Sequence, residues 1–498
     1  MVKDKWLTVG ALALGVLFVF LFYGKIPGVS VPVFITAFYA LLLAYARPVP
    51  PKQAIFGWLL AIPVFMLAMT YFLYGDEVFF ILDIPALLVL ILLQTILVTG
   101  SNLFKWHSPD ILFDLLYGAF YRSFAHITKP FGILSDSLGK KKNGDDKKST
   151  GVRILAGLLI SLPLLFILLV LLASADMVFE RLVEKIPAFF DGMNIGGLIG
   201  RIIVALIIFL ISFSYIWSLG RNEKIADNSL RKAAGISPEP KGRWDMVTVI
   251  TVTAAVDALY AVFVVIQFAY LFGRSGLPDG FTYAEYARSG FFELLLVTLL
   301  NAVLLACTLT FTKKDIRPLV LPFRILNTVM AGCTFVMLCS AFYRMSLYEA
   351  AYGYTFLRIM TQAFMIFLLA IFIATLARIW SDRVPLLKSY IIVAIVAFTV
   401  VNYINVDRMI AEENIERYQN DKIIDIGYFH TLSNGAVPEI VKLAGDGDPE
   451  TASQVKEFLE QRSKALEGKK DWQSFNLADY RARRALEEWM RNVQGADG

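Results

Sequence analysis

Residues 78–99 read VFFILDIPALLVLILLQTILVT, a run of 22 residues in which Asp83 is the one ionisable side chain. As an α-helix rising 1.5 Å per residue, the run is about 33 Å long and matches the roughly 30 Å hydrocarbon core of a bilayer. Similar runs alternate with short charged loops along the 498-residue chain, of which 57% is hydrophobic and 18% charged. The pattern predicts an all-α, polytopic transmembrane helical bundle whose main solvent is the lipid bilayer.

The same length criterion predicts about eleven membrane spans. Their approximate bounds are 6–23, 29–45, 54–74, 78–99, 152–173, 201–219, 247–272, 289–311, 325–345, 356–378 and 389–404. Pro63, Pro85 and Pro163 lie inside spans, where we expect kinks. The predicted regions are spans 1–4 (1–99), a cytoplasmic loop with an interfacial helix (100–151), spans 5–11 (152–404) and a polar, helical C-terminal tail (405–498).

Basic residues in the loops predict the orientation, because cytoplasmic loops hold the excess of Lys and Arg. With the N-terminus inside, the inner loops hold 26 of these residues and the outer loops hold 8. Eleven spans from an inside start then put the tail outside. We therefore expect a multi-pass protein of the cytoplasmic membrane with an inner N-terminus and an outer tail.

Helices are also predicted outside the spans. Residues 110–127 are apolar on one face but carry Asp114 and Arg122, which is typical of a helix in the cytoplasmic interface. In the tail, residues 451–466 and 477–489 have apolar residues at helical spacing, which predicts two or three packed helices. Because its core is small, the tail is expected to be stabilised by packing against the bundle, the membrane or another envelope protein.

Four stretches in the second half of the chain carry a family resemblance. They are LYAVFVVIQFAYLFG (259–273), YAEYARSGFFELL (283–295), NYINVDRMIAEENIERY (402–418) and DIGYFHTLSNGAVPEIVKL (425–443). These stretches resemble an uncharacterised bacterial multi-pass membrane family, domain of unknown function 4173. In that family Asp often precedes Ala-Val-Pro, where this chain has Gly435. The resemblance implies a shared fold and topology, and it brings no activity, cofactor or catalytic residue.

Ionisable side chains inside spans are costly, so each is a candidate functional position. Asp257 falls near mid-membrane, while Asp83, Glu293, Arg344 and Arg358 fall in the outer half. Together with nearby amides, an entering loop and the start of the tail, they predict an outward-facing polar site in which Arg288, Arg344 or Arg358 pairs with Glu293. The candidate residues are Asp83, Asp257, Gln267, Glu285, Tyr286, Arg288, Glu293, Arg344, Arg358, Gln362, Asn405 and Asp407.

A purely structural role is the alternative for these residues. The arginines then reach the interface with their long side chains, and the carboxylates form structural pairs or reach headgroup water. The sequence has no metal-ligand spacing, no Gly-rich phosphate loop and no nucleophile motif, so we predict no cofactor, no metal and no catalytic residue. Its basic residues are spread over loops rather than one face, so we predict no nucleic-acid partner.

Three functions stay open for this membrane protein. The favoured one is a non-enzymatic envelope sensor, regulator or scaffold that acts through its C-terminal tail, residues 405–498. The second is a transporter of a small ion or solute that uses the polar site, although the spans show no clear internal repeat. The third is a membrane enzyme that acts on a lipid-linked substrate with Asp, Glu and Arg as acid, base and anion clamp.

Overall fold

The computed structural model describes residues 2–137, 172, 176, 195–221, 244–267, 291–445, 448–468 and 471–496. Within these residues the chain is helical and forms no strand, apart from one isolated bridge between Trp244 and Thr312. The contacts divide the chain into two compact units. The first comprises Met1–Leu73, Phe80–Asp227 and Lys469–Leu477, and the second comprises Tyr74–Phe79, Asn228–Gly468 and Ala478–Gly498.

The described α-helices are α1 (Val2–Phe22), α2 (Ser30–Tyr45), α3 (Ile55–Leu59), α4 (Ala61–Leu73), α5 (Glu77–Val98), α6 (Ile111–Leu116), α7 (Lys129–Ser137), α8 (Ile195–Gly220), α9 (Met246–Gln267), α10 (Phe291–Phe311), α11 (Val320–Tyr352), α12 (Phe356–Trp380), α13 (Leu386–Tyr403), α14 (Val406–Asp421), α15 (Ile426–Phe429), α16 (Val437–Ile440), α17 (Pro449–Leu466) and α18 (Leu477–Ala496). A π-helical turn spans Tyr117–Arg122, and 3-10 turns span Arg317–Leu319, Asn434–Ala436, Val441–Gly445 and Trp472–Ser474.

Nine helices in the described part of the chain are long and apolar enough to cross a membrane. They are α1, α3 with α4, α5, α8, α9, α10, α11, α12 and α13. The predicted second span is the shorter apolar helix α2, and the predicted fifth span, 152–173, lies outside the described residues apart from Leu172. The predicted all-α, polytopic bundle is therefore confirmed, and the chain is a multi-pass membrane protein.

The predicted proline kinks have different outcomes. Helix α3 ends at Leu59 and α4 begins at Ala61, so the span is broken one turn ahead of Pro63. Proline lacks the N–H that would bond the carbonyl four residues earlier, which explains the break. Pro85 lies inside α5, which runs as one helix, and Pro163 lies outside the described residues.

In the first unit, α1 packs against α8 and α2. Gly15 permits a close approach, since a Cβ there would lie 2.2 Å from the carbonyl oxygen of Ala205. The segment Trp472–Ser474 belongs to this unit and meets the end of α1, where the Gln473 side chain donates to the Phe20 carbonyl at 3.3 Å. The Phe475 carbonyl accepts a hydrogen bond from the Val29 backbone N–H at 3.0 Å.

In the segment 110–127, two charged side chains lie in the interior of the protein. Its two charged residues point inward rather than to water, with Asp114 and Arg122 both buried. The Asp114 carboxylate accepts from the backbone N–H groups of Leu103 and Phe104, and Arg122 donates to the Ser101 carbonyl at 2.6 Å. Its exposed side chains are apolar, so the charges hold the preceding loop in place.

In the second unit, α11 packs against α9, α10 and α12, and α13 packs against α12. Two buried apolar clusters fill this bundle, one around Phe323 and Met330 and the other around Phe291 and Met337. Helix α11 has 33 residues and continues seven positions beyond the predicted span end at 345. This extension carries bundle side chains to the region where the tail begins.

The tail forms the predicted packed helices, with α14, α17 and α18 as the long ones. Its core lies among apolar side chains such as Ile410, Phe429 and Phe458, and it includes Phe79 from the start of α5. Asp448 caps α17 by accepting from the Thr451 N–H at 3.0 Å, with Pro449 at the first helical position. Asp448 and Pro449 therefore mark the start of α17.

Candidate functional site

Polar side chains link the helices in the middle of the second unit. The Tyr260 hydroxyl on α9 donates to Asn301 Oδ1 on α10 at 2.7 Å, and Asn301 Nδ2 donates to the Thr334 hydroxyl on α11 at 2.9 Å. Nearer the other end of the helices, the Thr308 hydroxyl donates to Asn327 Oδ1 at 3.0 Å. Because a bilayer offers no water to such groups, these bonds fix the mutual rotation of the three helices.

Asp257 lies at the middle of α9, about 16 Å along the helix from its first residue. The side chain is 5% exposed, and neither carboxylate oxygen has a hydrogen-bond partner among the described residues. A buried polar group normally finds a partner, and a carboxyl group in mid-membrane is costly. The hydrogen bonds of Asn301 explain its place in the bundle, but no such bond explains the place of Asp257.

A second polar group lies at the far end of α9. Gln267 Oε1 accepts from the Ser340 hydroxyl at 2.8 Å and from Arg344 at 3.4 Å, both on α11. The sequence pattern predicts Gln267 and Arg344 as members of one site, and this hydrogen bond joins them. All three side chains are buried, so the amide lies between a hydroxyl and a guanidinium group that water reaches poorly.

Glu349, near the end of α11, is a buried carboxylate that the sequence analysis missed. It is 1% exposed, and Gln362 on α12 donates to its Oε2. The same amide of Gln362 also lies 3.4 Å from the Ser346 hydroxyl. Gly353 directly after Tyr352 is a helix-ending signal that would have extended the predicted helix past residue 345 and so included Glu349.

Arg358 forms hydrogen bonds to the backbone of the connection between α11 and α12. One guanidinium nitrogen donates to the carbonyls of Tyr352 and Gly353, and the guanidinium carbon lies 4.3 Å from the ring centroid of Tyr348. Its charge also interacts with the carboxylate of Glu349. Arg358 thus neutralises the negative end of the α11 dipole.

Other candidates lie apart from this group. Glu293 is exposed, and among the described residues no ion pair joins it to Arg344 or Arg358. Asp83 belongs to the first unit, where it accepts from the Thr70 hydroxyl at 2.9 Å. Asn405 and Asp407 lie in the tail. Three further candidates lie outside the described residues: Glu285, Tyr286 and Arg288.

The tail forms hydrogen bonds to the α11–α12 connection from α14 and α15. Asn414 accepts from the Tyr354 N–H and donates to the Tyr354 carbonyl, both at 2.8 Å. Arg417 donates to the carbonyls of Ala350 at 3.0 Å and Ala351 at 2.7 Å, in the last turn of α11. The Tyr428 hydroxyl accepts from the Phe356 N–H, the first amide of α12, at 2.8 Å. We call these residues of the tail, Asn414, Arg417 and Tyr428, the clamp.

Asn405 and Asp407 position the start of the tail. Asn405 caps α14 by accepting from the Arg408 N–H at 3.2 Å, and a Cβ at Gly435 would lie 2.9 Å from the same amide oxygen. Asp407 accepts from the Ser433 N–H at 2.9 Å, and its burial raises the pKa of its carboxyl. These contacts explain why a small residue stands at position 435.

Asp76 is the second perturbed carboxyl beside the tail. Burial and the negative charge of Asp407 raise the pKa of Asp76 from 3.8 to about 6. It also accepts from the N–H groups of Val78 and Phe79, at 2.8 Å and 3.2 Å, at the start of α5. The folded state therefore holds a proton on Asp76 at a pH where the unfolded chain has lost it.

We expect this carboxyl to make the second unit more stable as the pH falls through about 6, with a plateau below 3.8. Asp76→Asn keeps the acceptor for Val78 and Phe79 but removes the charge. The variant is expected to have a higher thermal midpoint than the wild type at pH 7.5 and an equal one at acidic pH, measured in detergent by intrinsic fluorescence.

Asp448→Asn is the matched control, because it changes another helix cap in the same way at an exposed position. Hydrogen bonds from Thr451 lower the pKa of Asp448, so this variant loses stability at neutral pH instead. A wild-type pH profile that Asp76→Asn leaves unchanged would refute the assignment.

Among the described residues, no group of three or more His, Cys, Asp or Glu side chains is placed to hold a metal ion. The polar groups that the second unit does assemble are carboxylates, amides and arginines on helices that the tail holds. The tail is joined to these helices by hydrogen bonds to the backbone of the α11–α12 connection.

The comparisons with known proteins place the chain in one family. A search of curated proteins and a search of solved structures each find no match. A family model described as "Domain of unknown function (DUF4153)" matches residues 61–443, more than half of the chain. The resemblance to an uncharacterised domain family is thus confirmed, but the assignment to domain of unknown function 4173 is not. The chain belongs to the DUF4153 family.

Proposed function

We propose that this protein is a non-enzymatic membrane regulator, in which the tail binds another envelope protein and passes its bound or free state to the bundle. The clamp is the observation that carries the proposal. Five of its hydrogen bonds end on backbone atoms of the α11–α12 connection. Asn414 donates one and accepts one, Arg417 donates two, and Tyr428 accepts one. A displacement of α14 therefore pulls on the end of α11, and a displacement of α15 pulls on the start of α12.

The moved helices carry the buried polar groups of the bundle. Arg344 and Glu349 lie on the last turns of α11, and Gln362 lies on the second turn of α12. The Glu349–Gln362 hydrogen bond joins the two helices beside the connection. This hydrogen bond is either formed or broken, and binding at the tail shifts the balance between the two states. The coupling free energy between two such sites is typically about 1–3 kcal/mol.

We further propose that the tail lies outside the cytoplasmic membrane and the N-terminus inside. Within each unit, the tail contacts the loops that hold few basic residues. Gln473 and Phe475 meet residues 20–29, Asp407 acts electrostatically on Asp76, and the clamp meets residues 350–356. The positive-inside rule assigns loops of this composition to the outer side.

The test uses a deletion strain with a measurable envelope defect. The double variant Asn414→Ala, Arg417→Ala cuts four clamp bonds and is expected to insert normally but to fail to restore the strain. Asn420→Ala with Arg484→Ala is the matched control, since Asn420 is an exposed residue of α14 and Arg484 pairs at the surface with Glu488. Full restoration by the clamp variant would refute the proposal.

A transporter of a proton or a small cation is the second candidate, and Asp257 is the observation that favours it. A buried carboxylate in mid-membrane, with no hydrogen-bond partner among the described residues, is the kind of group that transporters use to bind their ion. In proteoliposomes with a pH gradient, flux that Asp257→Asn abolishes would support transport. Restoration of the deletion strain by Asp257→Asn, together with failure of the clamp variant, would favour the regulator.

A further inference from the structure

A cavity of about 240 Å³ lies beside the α11–α12 connection in the second unit. Phe291, Met345 and Leu357 supply much of its wall, and Tyr348, Thr355 and Arg358 supply its polar side. Phe292 and Leu357 also line the cavity and are among the most exposed apolar residues of their helices, at 66% and 70%. Both stand at the ends of helices that are long and apolar enough to span a membrane, where lipid would reach the opening.

The polar side of the cavity carries positive charge. Arg358 uses one terminal nitrogen for the Tyr352 and Gly353 carbonyls, and its other two nitrogens have no hydrogen-bond partner among the described residues. Arg358 lies in the first turn of α12, a helix of 25 residues whose N-terminus adds a positive dipole end. Thr355 precedes this helix and makes no side-chain capping bond.

Glu349 is a negative group that interacts with this charge. Its carboxylate interacts with Arg358 but is buried, accepts from Gln362 and does not line the cavity. A ligand in the cavity therefore meets the free edge of the guanidinium group and not the carboxylate. Arginine binds phosphate through such an edge with paired N–H donors.

We propose that this cavity binds a lipid with a phosphate headgroup. The phosphate accepts hydrogen bonds from the free edge of Arg358 at the N-terminus of α12, and one hydrocarbon chain lies against Phe291, Met345 and Leu357. The mainly apolar wall and the opening toward the bilayer favour a lipid over free phosphate, because inorganic phosphate gains nothing from apolar contact. The site depends only on the α11–α12 connection and does not require the proposed role of the tail.

The experiment is native mass spectrometry of the full-length chain in a nonionic detergent. Dioleoyl phosphatidylglycerol is titrated in, beside dioleoylglycerol, which has the same chains without phosphate, and beside inorganic phosphate. We expect the phosphatidylglycerol to bind on the order of tenfold more tightly than either of the others. Arg358→Gln is expected to lower its affinity to that of dioleoylglycerol.

Two further variants keep the test decisive. Arg378→Gln removes a charge from the last turn of the same helix, and it is expected to bind lipid like the wild type. Thr361→Phe fills the cavity while leaving Arg358 in place, and it is expected to weaken lipid binding even if Arg358→Gln unfolds. Equal affinity for dioleoylglycerol, undiminished binding by both cavity variants, or phosphate alone binding as tightly as the lipid would each overturn the proposal.

Discussion

Gly353→Ala is expected to release the tail from the bundle while leaving the membrane helices in place. Gly353 has φ 82° and ψ 171°, a conformation that side-chain-bearing residues rarely adopt. A Cβ there would lie 2.7 Å from the Asn414 amide oxygen and 3.2 Å from an Arg417 guanidinium nitrogen. Backbone strain of about 1–3 kcal/mol adds to disrupted clamp bonds, so the tail is expected to lose roughly 2–5 kcal/mol of docking free energy.

The measurement is limited proteolysis of the detergent-solubilised protein, together with hydrogen exchange of α14. In Gly353→Ala, cleavage after residue 403 and exchange of the α14 amides are expected to accelerate together. Gly332→Ala is the control, because Gly332 lies within α11, has no atom within 4 Å of its ideal Cβ position and keeps a helical backbone. A Gly353→Ala protein with wild-type protection of α14 would show that the clamp tolerates the added methyl group.

Asp257→Ala is expected to stabilise the second unit by about 2 kcal/mol. An acidic side chain at the centre of a membrane helix costs about 2.5–3.5 kcal/mol, and removal of the three carboxyl atoms leaves a small void that returns part of the gain. No hydrogen bond to a described residue is lost, since neither oxygen has a partner there. A residue whose removal stabilises the fold is kept for function rather than for structure.

Asn301→Ala is the matched comparison, with the same replacement at a neighbouring buried polar position. It removes the bonds to Tyr260 and Thr334, so it is expected to destabilise the bundle by roughly 1–3 kcal/mol. The thermal midpoints of the two variants in the same detergent should therefore shift in opposite directions. A lower midpoint for Asp257→Ala would identify Asp257 as a structural residue and weaken the case for transport.

Candidate residues inside the predicted spans can be recognised from the sequence, whereas those beyond the span ends cannot. Gln267, Arg344 and Gln362 were found because an ionisable or amide side chain stands out in an apolar span. Glu349 was not among the predicted site residues, because it lies beyond the predicted end of its span, where a carboxylate is common. Glu293 is exposed and makes no ion pair with Arg344 or Arg358 among the described residues, while the third proposed partner, Arg288, lies outside them.

The clamp residues lie in two of the family-like stretches, but their contacts had no signal in the local spacing. Asn414 and Arg417 are ordinary polar residues of an amphipathic helix, and their partners are main-chain atoms about 60 residues away. Gly353 is recognisable as a helix-ending glycine, but its close contact with Asn414 depends on where α14 lies. Contacts of this kind arise from packing between distant segments, which local spacing does not encode.

The sequence by itself determined that this protein spans a membrane many times and ends in a helical tail. A bilayer imposes that outcome locally, because each span has to be long enough, apolar enough and internally hydrogen-bonded. Only the tertiary structure decided which polar groups inside the bundle are bonded, that Asp257 finds no hydrogen-bond partner in the described part of the chain, and where the tail holds α11 and α12. Those outcomes depend on helix rotation and docking, in which distant residues compete for the same few hydrogen bonds in a solvent that supplies none.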